Sequence, residues 1–526
     1  MSKKAFLIFS LFVISLNFLS AQNKYWVYFT DKDGVTFDPY QYFDQKAIDR
    51  RIKHGLDLYD KSDYPVKPQY LQAVAQVADS LSHHTRWFNA VAAYANESKI
   101  QEITALPFVK KVVPFPKYHK QLAEEVDIDY DTTLNSDLDY ILEGQLLSMG
   151  GEILKQHNID GRGSRVAVFD GGFPGVDELP VFAHLRKDGR ILKTYDFAKN
   201  KEEVYHGMSH GTMVLSNIAG KVGDKQLGLA SGAEFLLART EIWREPFSEE
   251  ENWLAAMEWA DKNGADIINS SLGYTYHRYY PVEMDGKHSL VAKAANKAVA
   301  KGMLVVNAAG NDGGDDSWAV IGTPADADSV LAVGGVQPTT GYHISFSSFG
   351  PTADGRRKPN VAAFGEVVVA GKKNLKRSFG TSFASPLVAG FAACALQAFP
   401  NAKAMELFRL IEECGALYPY YDYAHGYGIP QSSILLGQWD DPGKTVEIVE
   451  EGEEVVVRVD SAVMKNEQYA DRFLLYYNMQ GPSGILDTYY VVEVQQTDVI
   501  RLQKAEIKEG MKLNVNYAGY SATYQF

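Results

Sequence analysis

The sequence predicts an α/β fold with a mostly parallel sheet flanked by helices, preceded by a small α+β domain and followed by a β domain. Two observations predict the central sheet. Apolar runs alternate with helical stretches between about residues 146 and 437, and this strand–helix–strand order implies right-handed crossovers. The runs lack the polar–apolar alternation of half-exposed strands, so they indicate strands buried on both faces. They are RVAVFD (165–170), EFLLART (234–240), ADIINSSLG (265–273), GMLVVNAAG (302–310) and SVLAVGGV (329–336).

The first 21 residues have the pattern of a secretory signal peptide. A basic start, MSKK, precedes the apolar run AFLIFSLFVISLNFL, and the small residues Ser20 and Ala21 follow. The run is short for a membrane span, which needs about 20 residues. We therefore expect cleavage after Ala21 and a secreted protein (extracellular, periplasmic or cell surface) with no transmembrane segment in the mature chain.

Three further regions flank or lead into the α/β domain. Residues 22–118 predict a small α+β domain, with helices over 38–56 and 68–81, strands over 24–30 and 85–95, and a helix followed by a strand over 97–116. Residues 119–145 are polar and acidic, which is typical of a linker. The α/β domain then covers 146–437, and residues 438–526 alternate and are rich in Val and Tyr, which predicts antiparallel strands.

Composition excludes some classes of function. There are 52 Lys and Arg against 66 Asp and Glu, a net charge of −14, which argues against nonspecific nucleic-acid binding because that requires a basic face. Cys394 and Cys414 lie in apolar stretches typical of buried free thiols, although export would permit a disulfide. No CxxC or paired His/Cys spacing indicates zinc.

Ser382 stands at the start of an apolar stretch, SFGTSFASPLVAGFAACALQAF (378–399). Because a proline cannot donate within a helix, Pro386 predicts that the helix begins close to Ser382. Backbone N–H groups at such a start favour an anion beside the serine. Read alone, the serine is typical of a structural helix cap.

A serine nucleophile needs a base, and the base needs a carboxylate. His210 opens the apolar helix HGTMVLSNIAG, and Asp170 ends the strand RVAVFD. In open α/β sheets, sites form beyond the carboxyl ends of strands, where Asp170 stands. Asn311 follows another strand in VVNAAGND, and its amide could bind an oxyanion together with the Ser382 N–H. Each of these residues alone could be a helix-start or turn residue.

Together, these stretches resemble the subtilisin-like serine peptidases (subtilases), with their signal peptide and propeptide. The resemblance covers about residues 145–437, in the family's order Asp, His, Ser. The matching stretches are VAVFDGGF, HGTMVLSNIAG, GLASGAEFLLAR, ADIINSSLG, VVNAAGND, FSSFGP, RKPNVAAFG and GTSFASPLVAG.

The resemblance implies a secreted endopeptidase with an acyl-enzyme intermediate. Ser382 would be the nucleophile, His210 the base and then the acid, Asp170 the carboxylate that orients His210, and Asn311 an oxyanion donor. Substrate would add as a strand along an edge and meet a pocket wall. The residues implied for the edge are Ser271, Leu272 and Gly273, and those for the wall are Ala309 and Gly310.

The resemblance also implies partners. These are protein or peptide substrates, and the chain's own propeptide, within 22–118, as an inhibitor of a zymogen that is cut at about 117–145. No cofactor is required for catalysis, whereas structural calcium is common in the family. The stretches 311–317 and 324–328 offer oxygens, although no ligand set can be matched.

The sequence departs from the family at three places, and two alternatives stay open. Gly171 replaces a Thr or Ser, Phe383 replaces a Met, and the asparagine of KPN (358–360) replaces an aspartate. A catalytically inactive, subtilase-fold binding module is one alternative, and a narrow processing protease is another. An α/β-hydrolase esterase is disfavoured, because it would need G-x-S-x-G and the order Ser, Asp, His.

Overall fold

A computed structural model describes residues 23–115, 136–242, 248–275, 278–439, 441–464 and 474–526. The predicted signal peptide and residues 119–135 of the predicted linker lie outside these residues. Contacts divide the chain into two compact units. The first contains Met1–Val35 and Tyr64–Phe115, and the second contains Thr36–Asp63 and Pro116–Phe526.

The strands of the described residues are numbered in chain order. They are β1 Asn23–Phe29, β2 Ser80–Thr85, β3 Ala90–Ala95, β4 Val109–Pro114, β5 Arg165–Asp170, β6 Ile191–Asp196, β7 Lys221–Val222, β8 Lys225–Gln226, β9 Glu234–Arg239, β10 Ile267–Ser270, β11 Leu304–Ala308, β12 Val330–Val336, β13 Val361–Phe364, β14 Glu366–Ala370, β15 Leu375–Phe379, β16 Val446–Glu451, β17 Glu454–Val459, β18 Leu474–Gln480, β19 Leu486–Glu493, β20 Asp498–Gln503, β21 Lys512–Tyr517 and β22 Tyr520–Gln525.

The helices of the described part of the chain are also numbered in chain order. They are α1 Pro39–Tyr42, α2 Gln45–His54, α3 Pro68–Val77, α4 Glu97–Thr104, α5 Ser136–Leu147, α6 Gly151–Gln156, α7 Ala183–Lys187, α8 His210–Ala219, α9 Ser248–Lys262, α10 Leu290–Ala300, α11 Thr381–Ala398, α12 Ala404–Glu413, α13 Ser432–Leu435 and α14 Ser461–Met464.

The first unit is an α+β fold, as the sequence predicts. Its antiparallel sheet has the order β2-β3-β1-β4, and α3 and α4 add apolar residues to its core. The predicted helix over 68–81 ends at Val77, and the predicted strand over 85–95 is shorter than expected. A hairpin joins β2 to β3 there, because Asn89 adopts a left-handed conformation (φ 50°) in the turn.

The second unit contains the predicted parallel sheet, which is confirmed. Its seven strands run in the order β13-β12-β11-β10-β5-β9-β6, and every neighbouring pair is parallel. The five central strands are buried along almost their whole length, which explains their continuous apolar sequences. Because all seven strands point the same way, their carboxyl ends form one edge where polar residues can meet.

Helix α11 packs on this sheet and forms the centre of the core. Its apolar residues contact the sheet and α8. Among the described residues, it is the one helix long and apolar enough to cross a membrane, and most of it is buried inside the protein. Cys394 of α11 and Cys414 after α12 are buried free thiols, and burial raises the pKa of Cys414 to about 12.

Helix α5 begins inside the segment predicted to be a linker. It buries Leu138, Ile141 and Leu142 in the core of the second unit. Gln145, also buried, donates to the carbonyl oxygen of Leu227 (2.8 Å) and accepts from the amide of Val368 (2.9 Å). Residues 136–145 are therefore part of the packed domain.

The carboxyl-terminal strands form two antiparallel sheets, as predicted. Their orders are β16-β17-β20 and β19-β18-β21-β22, and they share one apolar core. This region also packs on the loop of the second unit around Tyr421, because Asn478 of β18 donates to the carbonyl oxygen of Tyr421 at 2.8 Å.

Candidate active site

Asp170 and His210 form a hydrogen-bonded pair at the carboxyl end of β5. Nδ1 of His210 lies 2.9 Å from Oδ2 and 3.1 Å from Oδ1 of Asp170. The carboxylate also accepts from the amide of Gly171 at 2.7 Å and is only 1% exposed, whereas His210 is 22% exposed. Because Nδ1 donates to the carboxylate, Nε2 is the nitrogen that stays unprotonated in the neutral imidazole.

Glycines allow the turn after β5 to pack against the start of α8. A Cβ on Gly211 would lie 2.4 Å from the carbonyl oxygen of Gly172, and one on Gly172 (φ 140°) would lie 2.0 Å from that of His206. The departure at Gly171 also has a physical reason, since a Cβ there would lie 2.1 Å from Cε of Met208. The methionine fills the space that a larger residue would occupy.

Ser382 is the second residue of α11, as the position of Pro386 predicts. Of the first ten residues of this helix, it alone is not fully buried. Its Oγ donates to the carbonyl oxygen of Ser271 at 3.0 Å. The ring of Phe383, the next residue, lies 5.4 Å from the ring of His210 between centroids. The start of α11 therefore lies beside the Asp170–His210 pair.

Asn311 is held by the residue that precedes Ser382. Its Oδ1 accepts from both the amide and the hydroxyl of Thr381, each at 2.9 Å. A Cβ on Gly380 (φ 140°) would lie 3.6 Å from Nδ2 of Asn311 and 3.7 Å from the amide nitrogen of Ser382. The side-chain amide nitrogen of Asn311 and the main-chain nitrogen of Ser382 therefore both lie near Gly380.

The residues expected to bind substrate differ in accessibility. Gly273 is exposed after β10, and the nearest atom to a Cβ built on it is 3.9 Å away. The carbonyl oxygen of Leu272 already accepts from Asn307 at 2.9 Å. Ala309 is fully buried and its amide donates to Val333, and Gly310 is half-buried. Ser271 and Leu272 are buried as well, so of these five residues Gly273 and Gly310 are the accessible ones.

Several residues of this region were missed by the sequence reasoning. Thr381 orients Asn311, and Ser385 of α11 donates to Oδ1 of Asn269 on β10 at 3.0 Å. Burial, with Asp315 nearby, raises the pKa of Asp312 to about 6. The hydroxyl residues of GTSFAS, at 381 and 385, were a signal for the first two. Asp312 lies in the stretch 311–317 that was considered for calcium, but its burial depends on the tertiary fold and could not be predicted locally.

A buried charged cluster lies next to the predicted substrate edge. Arg278 pairs with Glu249 at 3.0 Å and with Glu250 at 3.5 Å, and its guanidinium lies 4.1 Å from the ring centroid of Tyr274. Burial raises the pKa of Glu250. Tyr274 in turn exchanges main-chain hydrogen bonds with Thr323. This cluster holds the chain that follows Gly273.

The stretches suggested for calcium do not assemble a set of ligands. In the described part of the chain, no group of three or more His, Cys, Asp and Glu side chains is arranged to hold a metal ion. The carboxylate of Asp326 accepts from the amide of Gly286 at 2.8 Å, and that of Asp315 from Ser317 at 2.9 Å. Each of these carboxylates thus accepts from a main-chain amide.

Two families match the chain, each over its own region. The Subtilase family (peptidase S8) matches residues 161–428. The Peptidase S8 propeptide domain, Bacteroidota, matches residues 24–129. The first match contains Asp170, His210, Asn311 and Ser382, and the second covers most of the predicted α+β domain.

Individual relatives extend this result. Subtilisin DY of Bacillus licheniformis is 38% identical over 154 residues, which are 29% of this chain and 51% of that protein. Subtilisin E of Bacillus subtilis is 28% identical over 333 residues, which are 62% of this chain and 76% of that protein. The match to the subtilisin-like protease SBT6.1 of Arabidopsis thaliana covers only 25% of its length, at 29% identity. The chain thus spans a quarter of the length of SBT6.1 and about half of the length of subtilisin DY.

A solved structure shows the same fold over most of the chain. Fervidolysin of Fervidobacterium pennivorans matches with a TM-score of 0.53 at 20% identity, over 94% of this chain and 71% of that one. At this identity the likeness shows the fold alone. Since the Subtilase family matches over half of the sequence and its parallel sheet is present, the chain belongs to the subtilase family.

Proposed function

We propose that the protein is a secreted serine endopeptidase, made as an autoinhibited zymogen, that hydrolyses peptide bonds through Asp170, His210 and Ser382. The observation that carries the proposal is the hydrogen bond between Nδ1 of His210 and the buried carboxylate of Asp170. It leaves Nε2 as a base and stabilises the imidazolium once Nε2 takes a proton. Family membership supports the same chemistry.

In the first step, Ser382 Oγ attacks the substrate carbonyl carbon while its proton passes to Nε2 of His210. For this, the hydroxyl must turn away from the carbonyl oxygen of Ser271, to which it now donates. The carbonyl oxygen of the substrate becomes an oxyanion, which accepts from the Ser382 N–H and from Nδ2 of Asn311.

The tetrahedral intermediate then breaks down to an acyl-enzyme. His210 returns the proton from Nε2 to the leaving amine, and the carbon–nitrogen bond breaks. A water molecule next attacks the ester carbon, again with His210 as the base, and releases the carboxylic acid and the free hydroxyl of Ser382. Asp170 keeps its negative charge throughout.

Substrate binding is proposed along the residues that follow β10. An extended peptide can pair with free main-chain groups of an edge strand. The exposed Gly273 supports this, because it has no side chain to block an approaching backbone. Ser271 and Leu272 precede it, and Ala309 and Gly310 back the pocket for the side chain before the cleaved bond.

The zymogen part of the proposal concerns the first 129 residues. The match to a propeptide domain over residues 24–129 supports a domain that inhibits the enzyme until it is cut off. The basic and apolar start of the chain supports export by a signal peptide over residues 1–21.

A fluorophosphonate probe tests the proposed nucleophile. We expect the processed protein to be labelled, Ser382→Ala to be unlabelled, and Ser378→Ala, four residues earlier on β15, to be labelled like the wild type. Absence of labelling in the processed wild type would favour the binding module without catalysis. Labelling that persists in Ser382→Ala would mean that another residue is the nucleophile.

A further inference from the structure

Part of the propeptide region belongs to the compact unit of the catalytic domain. The propeptide family matches residues 24–129, yet Thr36–Asp63 groups with the catalytic residues, whereas Tyr64–Phe115 groups with β1. We call Thr36–Asp63 the anchor segment. It contains α1 and α2, and it joins the first unit through the chain at both of its ends.

The anchor segment binds the amino ends of the central strands, at the edge of the sheet opposite the candidate active site. Asp44 pairs with Arg165, the first residue of β5, at 3.0 Å. Lys46 pairs at 3.1 Å with Asp266, which directly precedes β10. Asp170, by contrast, is the last residue of β5. Binding of the anchor segment therefore does not depend on the active-site cleft.

A buried ion-pair network joins the anchor segment to α9 and to the end of α10. Arg51 of the anchor segment donates to Asp261 of α9 at 2.8 Å, and Lys301 after α10 donates to Asp63 of the anchor segment at 2.8 Å. Arg50 also pairs with Asp261. The five residues are between 0% and 5% exposed. Since a buried charge without a partner is costly, removal of either side would leave uncompensated charges.

Helix α2 of the anchor segment also packs closely against the ends of α9 and α10. A Cβ on Gly264, after α9, would lie 2.9 Å from Cβ of Lys46, and one on Gly302, after α10, would lie 3.0 Å from the ring of His54. Nε2 of His54 accepts from the amide of Ala404, the first residue of α12, at 2.9 Å. Helix α2 therefore rests directly on the ends of two catalytic-domain helices.

The anchor segment has its own small apolar core. Phe43, Ala47 and Ile48 are buried together, and the guanidinium of Arg51 lies 3.8 Å from the ring centroid of Phe43. The ring covers the cation that pairs with Asp261, so apolar packing and charge pairing act on the same side chain.

We propose that the anchor segment is a second binding site that holds the propeptide on the catalytic domain after the chain is cut between the two. A tethered inhibitor has a high effective concentration at its target, so inhibition would persist until the anchor segment itself leaves or is degraded. The role as inhibitor rests on the proposed function, whereas the binding itself does not.

The test uses the full chain with Ser382→Ala, which prevents self-cleavage. A recognition sequence for an unrelated site-specific protease replaces residues 119–135, the chain is cut there, and the two fragments are followed by size-exclusion chromatography and mass spectrometry. We expect them to elute together. Arg51→Ala should speed dissociation about 100-fold, as expected when one partner of a buried ion pair is lost. Ile52→Ala, the next residue on α2 and 61% exposed, is the control and should leave the rate unchanged.

Two results would overturn the proposal. One is separation of the fragments as soon as the unmutated chain is cut. The other is equal dissociation rates for Arg51→Ala and Ile52→Ala. Should Arg51→Ala not fold, hydrogen exchange of α2 in the cut, unmutated complex decides, since α2 must stay protected. The assay needs no catalysis, so a failed fluorophosphonate experiment and a failed anchor experiment are distinguishable.

Discussion

The two ends of the Asn311 side-chain amide have different surroundings. Thr381 holds its carbonyl oxygen, and the amide nitrogen at the other end of the side chain lies near Gly380, which precedes Thr381 and Ser382. A group held in this way can bind charge that develops in the reaction without first reorganising. If Asn311 is the oxyanion donor that we propose, its main partner is the transition state and not the bound substrate.

We predict that Asn311→Ala lowers kcat about 100- to 1,000-fold, as for loss of one oxyanion donor, and changes KM little. Steady-state kinetics on a peptide substrate measure both values. Thr381→Val is the comparison variant: it removes the hydroxyl that contacts Asn311 and Gly310 but keeps the main-chain amide bond to Asn311, so its kcat should fall less. A fall in kcat of less than threefold for Asn311→Ala, or an equal fall for both variants, would contradict the assignment.

The sequence was sufficient to place residues whose position follows from the element that carries them. Asp170 at a strand end, His210 at a helix start and Ser382 before Pro386 were all predicted, and the structure brings the first two within 2.9 Å. Met208 beside Gly171 was not predictable, because nothing local indicates which side chain fills that space. The burial of Asp312 likewise depends on distant residues.

At the scale of elements, the long buried elements were predicted better than the short amphipathic ones. Continuous apolar runs identified the central strands, because burial on both faces leaves an unambiguous pattern. Helix α5 was missed, since its acidic and polar residues suggested a linker and its apolar residues occupy only one face. The predicted helix over 38–56 is divided into α1 and α2, because Asp44 caps α2 by accepting from the amide of Lys46.

We predict that Leu142→Ala lowers the free energy of unfolding by about 3 kcal/mol, because a buried leucine leaves a cavity when truncated. Urea unfolding of the Ser382→Ala chain measures the change. Leu147→Ala, on the same helix and 50% exposed, should change stability by less than about 0.5 kcal/mol. If both variants changed stability equally little, α5 would not be needed in the core, and processing could remove it. If Leu142→Ala is strongly destabilising, the mature enzyme needs α5, so the proposed cleavage must lie before this helix.

At the scale of the whole molecule, the carboxyl-terminal β domain is joined to the catalytic domain through a loop rich in tyrosine. Asn516 donates to the carbonyl oxygen of Leu417 at 3.3 Å, and Tyr476 lies 5.3 Å from the ring of His425 between centroids. His425 is buried, and its Nδ1 is hydrogen-bonded to the carboxylate of Asp422. Titratable groups thus lie within the seam between the two domains, so pH should affect how firmly they are joined.

His343 lies beside His425, close to where the two domains meet. Its ring stacks on Phe349 with centroids 4.2 Å apart and lies 6.2 Å from that of His425. Burial, and then the charge of His425, lower the pKa of His343 to about 4, against an ordinary value of 6.5, while Asp422 opposes the shift. The folded protein therefore binds fewer protons than the unfolded chain between pH 6.5 and 4. Stability must fall as pH falls through this range.

On going from pH 7 to pH 4.5, the free energy of unfolding should fall by about 2 kcal/mol more in the unmutated chain than in His343→Phe. The reason is that phenylalanine keeps the stacking and cannot bind a proton. Urea unfolding of the Ser382→Ala chain at both pH values measures the difference. His157→Phe, at an exposed histidine, is the control and should keep the unmutated pH dependence. If His343→Phe and His157→Phe show the same pH dependence, the acid sensitivity of the seam comes from other groups, of which the Asp422–His425 pair is the nearest.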